Sequence, residues 1–156
     1  MSLVNLTPEY VTISIFCRTC QAEIEVTIHR PVIDNATAFP VSHLHLHGNP
    51  PHGLTLYIDR HYGVRGTEVS EAVTIERQKE VAPLTSLVLL RVPKRLKQTA
   101  LAMLKLRQGS AVEVANMTGK DPNVESQYLG QLWRMGYLTR IRVQQYYQYQ
   151  IAQANP

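Results

Sequence analysis

Several things are scarce in this chain of 156 residues. No apolar run approaches the ~18 residues that a membrane-spanning helix needs. The longest apolar cluster, LTSLVLL at Leu84 to Leu90, is far shorter. The N-terminus MSLVNLTPEY has neither a basic start nor an apolar signal core, so no export signal is expected and the cytoplasm is the default compartment. Only two cysteines occur, Cys17 and Cys20, in the stretch CRTC. In a reducing compartment that spacing points to a metal or redox pair rather than a structural disulfide. No Gly-rich phosphate loop, Ser-His-Asp set or paired carboxylates stand out, and no enzyme activity is expected.

Acidic residues are scarce in one half. Residues 1–91 hold 7 Lys/Arg and 9 Asp/Glu, a net of −2, whereas residues 92–156 hold 9 and 3, a net of +6. A basic module joined to a near-neutral one suggests that the basic one meets a polyanion, although a solvated basic face has the same composition. At 44% hydrophobic residues, the chain can bury one ordinary core or two small ones.

The N-terminal half alternates as β-strands do. EYVTISIF, AEIEVTIH, VSHLHLH and LTLYID each place apolar residues at every second position. RPVIDNATAFP reads as a loop, and VRGTEVSEAVTI as a further strand broken near Gly66. CRTC falls at the turn between the first two of these strands, so the turn aims both sulfurs at one point. One such knuckle supplies two ligands, and a closed zinc site needs four. HLHLHGNPPHG, running from His43 to Gly53, offers the others. His47 and His52 flank a Gly-Asn-Pro-Pro turn, and their imidazoles can converge as the thiols do. Cys17, Cys20, His47 and His52 are therefore the expected ligands of a structural zinc ion. Two ligand-bearing hairpins facing one another are similar to a zinc ribbon. His43 and His45 share a strand face with His47; either could replace His52, but a solvated face opposite Leu44 and Leu46 is expected. A redox Cys-x-x-Cys normally opens a helix, and a strand follows here. Glu23, Glu25 and Asp59 show no spacing that would make an open catalytic site.

The C-terminal half changes period. PKRLKQTALAMLKLRQG has apolar residues three and four apart, and Gly109 is expected to stop it. Ser110 and Glu113 form a potential capping box, and Gly119 ends the second helix. Asp121 caps a third helix, with Pro122 in its first turn and Gly136 after its end. YLTRIRV and YYQYQIA then pair as a hairpin. This order, and YLGQLWRMGYLTRIRV in particular, resembles the winged helix-turn-helix family over residues 93–152. The resemblance implies a third helix that enters a DNA major groove and a hairpin that acts as a wing. On that basis the expected DNA contacts are Ser126, Gln127, Gln131 and Arg134 on the third helix. Arg140 and Arg142 of the wing, with Gln144 and Gln145, and Lys94, Arg95 and Lys97 at the opening of the first helix complete the set. Glu125 is expected near a phosphate, which it would repel. Tyr146, Tyr147 and Tyr149 are expected to pack along an edge strand or to cover a dimer partner.

The fold class expected is thus α+β: a small β-rich, zinc-ribbon-like module over residues 1–75, a connector over 76–92, and a winged helix over 93–156. The expected function is binding of double-stranded DNA, as a transcription regulator and homodimer. The rivals are a winged helix that docks a protein, a regulator that responds reversibly to its metal, and a metalloenzyme, which would need an open coordination position.

Overall fold

A computed structural model describes residues 3–71, 73–76, 82–143 and 145–153. The protein is a mixed α+β chain with small sheets. Two compact units divide it, Met1–Val73 and Thr74–Pro156. No described helix is long and apolar enough to cross a membrane.

The first unit holds two three-stranded antiparallel sheets, each in chain order. One contains β1 (Leu3–Leu6), β2 (Tyr10–Cys17) and β3 (Ala22–His29). Val11 lies opposite Ile28 and Ile13 opposite Val26, so strict alternation puts four branched aliphatics on one buried face. Each such side chain contributes about 1.5–3 kcal/mol when fully buried. RPVIDNATAFP, expected to be all loop, begins with a short helix, α1 (Arg30–Asp34). Pro31 suits its first turn, where no N–H is needed, and Val32 and Ile33 are buried.

The second sheet contains β4 (Val41–His47), β5 (His52–Ile58) and β6 (Val64–Ser70). Its register corrects one expectation. Residues directly opposite one another in an antiparallel pair share a face. His43 lies opposite Leu56 and His45 opposite Leu54, and both leucines are fully buried or nearly so. The histidine face is therefore the inward one, and His43 and His45 are half-buried rather than solvated. Leu44 is buried as well, on the opposite face, with its methyl group against Gly53. The break expected near Gly66 is a bulge: Tyr57 pairs with Gly66, but Ile58 pairs with Val64. Arg65, the extra residue, donates to Asp59 at 2.6 Å.

In the second unit, β7 (Val73–Glu76) begins at the boundary between units. Then follow α2 (Lys97–Leu106), β8 (Gln108–Gly109), α3 (Ala111–Thr118), α4 (Pro122–Arg134), β9 (Leu138–Val143) and β10 (Tyr146–Ile151). The sheet order is β7-β9-β10-β8. Leu96, Ala100, Met103, Val114, Leu129, Leu132, Leu138 and Tyr149 form the core. The segment expected to be a connector belongs to this unit: Leu84 and Val92 lie in the same core, and Glu76 closes β7. Residues 77–81 of it lie outside the described residues.

The caps behave as their chemistry requires. Ser110 Oγ accepts from the Glu113 N–H at 3.3 Å, and the Glu113 carboxylate accepts from the Ser110 N–H at 2.7 Å. Asp121 accepts from the Asn123 N–H at 2.8 Å. Gly119 takes the left-handed conformation at φ 75° that ends a helix without a Cβ penalty. Gly109, by contrast, does not stop α2. Arg107 does so at φ 64°, and Gly109 lies in β8, opposite Tyr149.

Candidate metal centre and nucleic-acid interface

Cys17 ends β2, and Cys20 lies in the turn that leads to β3. His47 ends β4 and His52 opens β5, as directly paired residues of one ladder. The ligand atoms of all four lie within 4.8 Å of one another. A tetrahedral zinc ion with bonds of ~2.0–2.3 Å has ligand atoms about 3.3–3.8 Å apart. Cys17 Sγ and His52 Nε2, at 3.4 Å, already stand at such a separation. The four side chains could bind a metal ion.

The electrostatics suit that chemistry. Burial pushes the Cys17 thiol up, but the Cys20 backbone N–H and the His52 ring outweigh it and bring the pKa to about 6. The hydrogen bond to Cys17 in turn raises His52, against the opposite pull of burial. The lowered Cys17 pKa favours the thiolate, the form that binds a metal. His52 Nδ1 lies 3.3 Å from the Pro50 carbonyl oxygen, a contact that orients the ring and turns Nε2 to the centre. Both ring nitrogens of His47 are buried with no hydrogen-bond partner. Buried polar nitrogens without partners are costly, and coordination would satisfy one of them. Burial and the neighbouring His43 and His47 lower the His45 pKa to about 4, so that ring is neutral at ordinary pH.

Gly48 is a positioning residue that motif reading missed, although it stands in the HGNPPH motif itself. Its φ is +84°, and a Cβ there would meet His52 Cε1 at 2.5 Å. Gly48→Ala is expected to weaken metal affinity roughly ten-fold or more, in the range of losses seen when a ligand's supporting groups are disturbed. Competition with a chromogenic zinc chelator measures this, and unchanged affinity would remove Gly48 from the site.

In the second unit, Ser126, Gln127 and Arg134 are exposed on α4. Gln131 is partly buried and accepts from Arg95 Nη2 at 3.0 Å, so a residue before α2 reaches the same helix face. Lys94, Arg95 and Arg142 are exposed. Gln144 lies outside the described residues, and Gln145 is exposed.

Two expectations change. Arg140 is half-buried and ion-paired with Glu76 of β7. Its guanidinium lies 3.9 Å from the centre of the Trp133 ring and 4.5 Å from that of Tyr147. Its charge is paired internally, because β7 places the Glu76 carboxylate next to β9. Glu125 is not near a surface phosphate position but fully buried. It accepts from the hydroxyls of Thr99 at 2.7 Å and Thr118 at 2.6 Å, and Lys120 Nζ lies 3.7 Å away. The carboxylate thereby ties α4 to α2 and to the end of α3. Glu113 is buried too, so of the three acids among residues 92–156 only Asp121 is exposed. No protein-family model, curated protein or solved structure matches the chain.

Proposed function

We propose that the protein binds double-stranded DNA through its second unit, built as a winged helix, and that its first unit holds a structural zinc ion. The observation that carries the DNA reading is the withdrawal of carboxylates. Two of the three acids in the basic half are buried, while Lys94, Arg95, Lys105, Arg107, Arg134 and Arg142 are exposed. The surface is therefore more cationic than the net charge suggests, as a phosphate-binding surface needs. The topology supports the same reading. β8, between the first two helices, pairs with β10, so the hairpin is tied to the helical core and can act as a wing. In this arrangement α4 presents Ser126, Gln127, Gln131 and Arg134 to base edges, and Lys94, Arg95 and Arg142 meet phosphates.

Zinc is favoured by the Cys2His2 donor set, soft enough in its thiolates and tetrahedral in its logic. Four protein ligands leave no vacant position, which makes the role structural and not catalytic. The protein is then a DNA-binding regulator with a metal staple. Leu87 and Leu90, both more than three-quarters exposed, favour an uncharged contact with a second copy, as dimeric half-site recognition needs. Monomer mass by light scattering across concentration would remove that part.

Fluorescence anisotropy with a labelled duplex tests the DNA reading. Affinity is expected to fall steeply with salt. Arg95→Ala, Arg134→Ala and Arg142→Ala are each expected to weaken binding, and each variant whose arginine neutralises a phosphate should show a log–log salt slope shallower by about one. A flat salt dependence, or unaltered affinity in all three variants, would leave protein docking as the function of this unit.

A further inference from the structure

We propose that Cys17 and Cys20 close into a disulfide when a hydroperoxide reaches the metal centre, and that this oxidation expels the metal. The inference rests on the structural-zinc reading and adds how the site is regulated.

The two thiols differ in access. Cys20 is exposed, whereas Cys17 is fully buried. Cys17 is the last ladder residue of β2, opposite Ala22, and residues 18–21 form the turn between them. Gln21 closes that turn at φ 54°. Every residue of the turn is exposed, so a small oxidant reaches Cys20 from solvent. The two sulfurs lie within 4.8 Å of each other. They can meet by side-chain rotation and a small adjustment of one turn, with the β2–β3 ladder left in place. An accessible thiolate with a second thiol beside it is the arrangement by which cysteines sense oxidants. CRTC does not open a helix, so the pair is not built for dithiol–disulfide catalysis. What its oxidation changes is the donor set of the metal.

The chemistry takes two steps. The Cys20 thiolate attacks one oxygen of hydrogen peroxide; an S–O bond forms, the O–O bond breaks, and hydroxide leaves. Cys20 is then a sulfenic acid, which condenses with a neighbouring thiol. The Cys17 thiolate attacks the Cys20 sulfur; the S–S bond forms, the S–O bond breaks, and a second hydroxide leaves. The two sulfurs together give up two electrons, and the peroxide takes them. Zinc keeps its oxidation state throughout. It loses both anionic donors, however, and His47 and His52 alone do not make a closed site.

The test uses the whole chain, loaded with zinc and treated with hydrogen peroxide. Elemental mass spectrometry after desalting reads the zinc, and intact mass reads the thiols. The chain has no other cysteine, so a monomer lighter by two hydrogens carries the Cys17–Cys20 bond. Peroxide is expected to remove essentially all of the bound zinc, about one ion per chain, in step with that mass change. A thiol reductant with added zinc should restore both readings. Cys20→His, which keeps four donors but has no second thiol, should retain its zinc at the same dose. If that variant holds no zinc, the wild-type readings decide alone. Zinc that stays bound to the wild type overturns the proposal, as does release with the cysteines overoxidised or joined between chains. Release from Cys20→His at the wild-type rate also overturns it. These results leave the structural zinc standing. Protein that holds no zinc before peroxide is added removes the structural-zinc reading and this inference together.

Discussion

Purified protein is expected to carry about one zinc ion per chain, and the Cys17→Ser/Cys20→Ser double variant none. The loss should be large. Structural zinc supplies apparent folding free energies of about 10–16 kcal/mol in small zinc-dependent peptides. The first unit has its own buried face of Val11, Ile13, Val26, Ile28, Leu54, Leu56 and Ile58, so it is less dependent than such a peptide. Without the metal, however, it must hold a buried Cys17 and a His47 with two unpartnered ring nitrogens. Chelation should therefore melt the first unit while the second keeps its own transition, followed by hydrogen exchange resolved along the sequence. Elemental mass spectrometry of the untagged protein decides the primary point. A metal-free wild type would end the structural-zinc reading. A protein that releases its metal and stays folded would instead be a reversible metal-responsive regulator.

Glu125→Ala is expected to cost the second unit about 2–4 kcal/mol, the order of leaving buried hydroxyls without their acceptor. The substitution leaves the hydroxyls of Thr99 and Thr118 without their acceptor. It also removes the carboxylate that faces Lys120, whose side chain is partly exposed and can turn to water. Glu125→Gln keeps an acceptor oxygen for one hydroxyl and should cost less, about 1–2 kcal/mol. Urea unfolding followed by Trp133 fluorescence reads both variants. A Glu125→Ala protein within about 0.5 kcal/mol of wild type, as surface substitutions usually are, would contradict the buried tie between α2, α3 and α4. Because Glu125 faces inward, its loss should alter DNA binding only through stability.

Much of the local architecture was legible in the residues themselves. Alternation places the strands from Tyr10 to Ile58, and Ser110 with Glu113, Gly119, Asp121 and Pro122 mark the helix ends by their own hydrogen-bonding chemistry. The clustering of four side chains that could bind a metal was legible as well, because Cys17 with Cys20 and His47 with His52 each flank a turn, and a turn brings its two ends together. Gly48 could have been added from the same motif, since glycine beside a ligand in a tight turn signals a positive φ or a close approach.

Other features depend on partners distant in sequence. Whether a strand's histidine face points inward depends on which residues of β5 lie opposite, and a shift of one residue would reverse it. Glu125 reads as a surface acid on a helix until Thr99, 26 residues earlier, comes to meet it. Arg140 reads as a free wing cation until Glu76, 64 residues away, pairs with it through β7. Local rules tell where elements begin, which faces are apolar and which short motifs gather ligands. The sequence by itself thus determined the α+β elements, the four side chains that could bind a metal ion and the basic bias of the C-terminal half. Only tertiary structure decided which charges are neutralised inside and which lie exposed. Neutralising a charge takes a second group within a few ångströms, and long-range packing alone supplies that group.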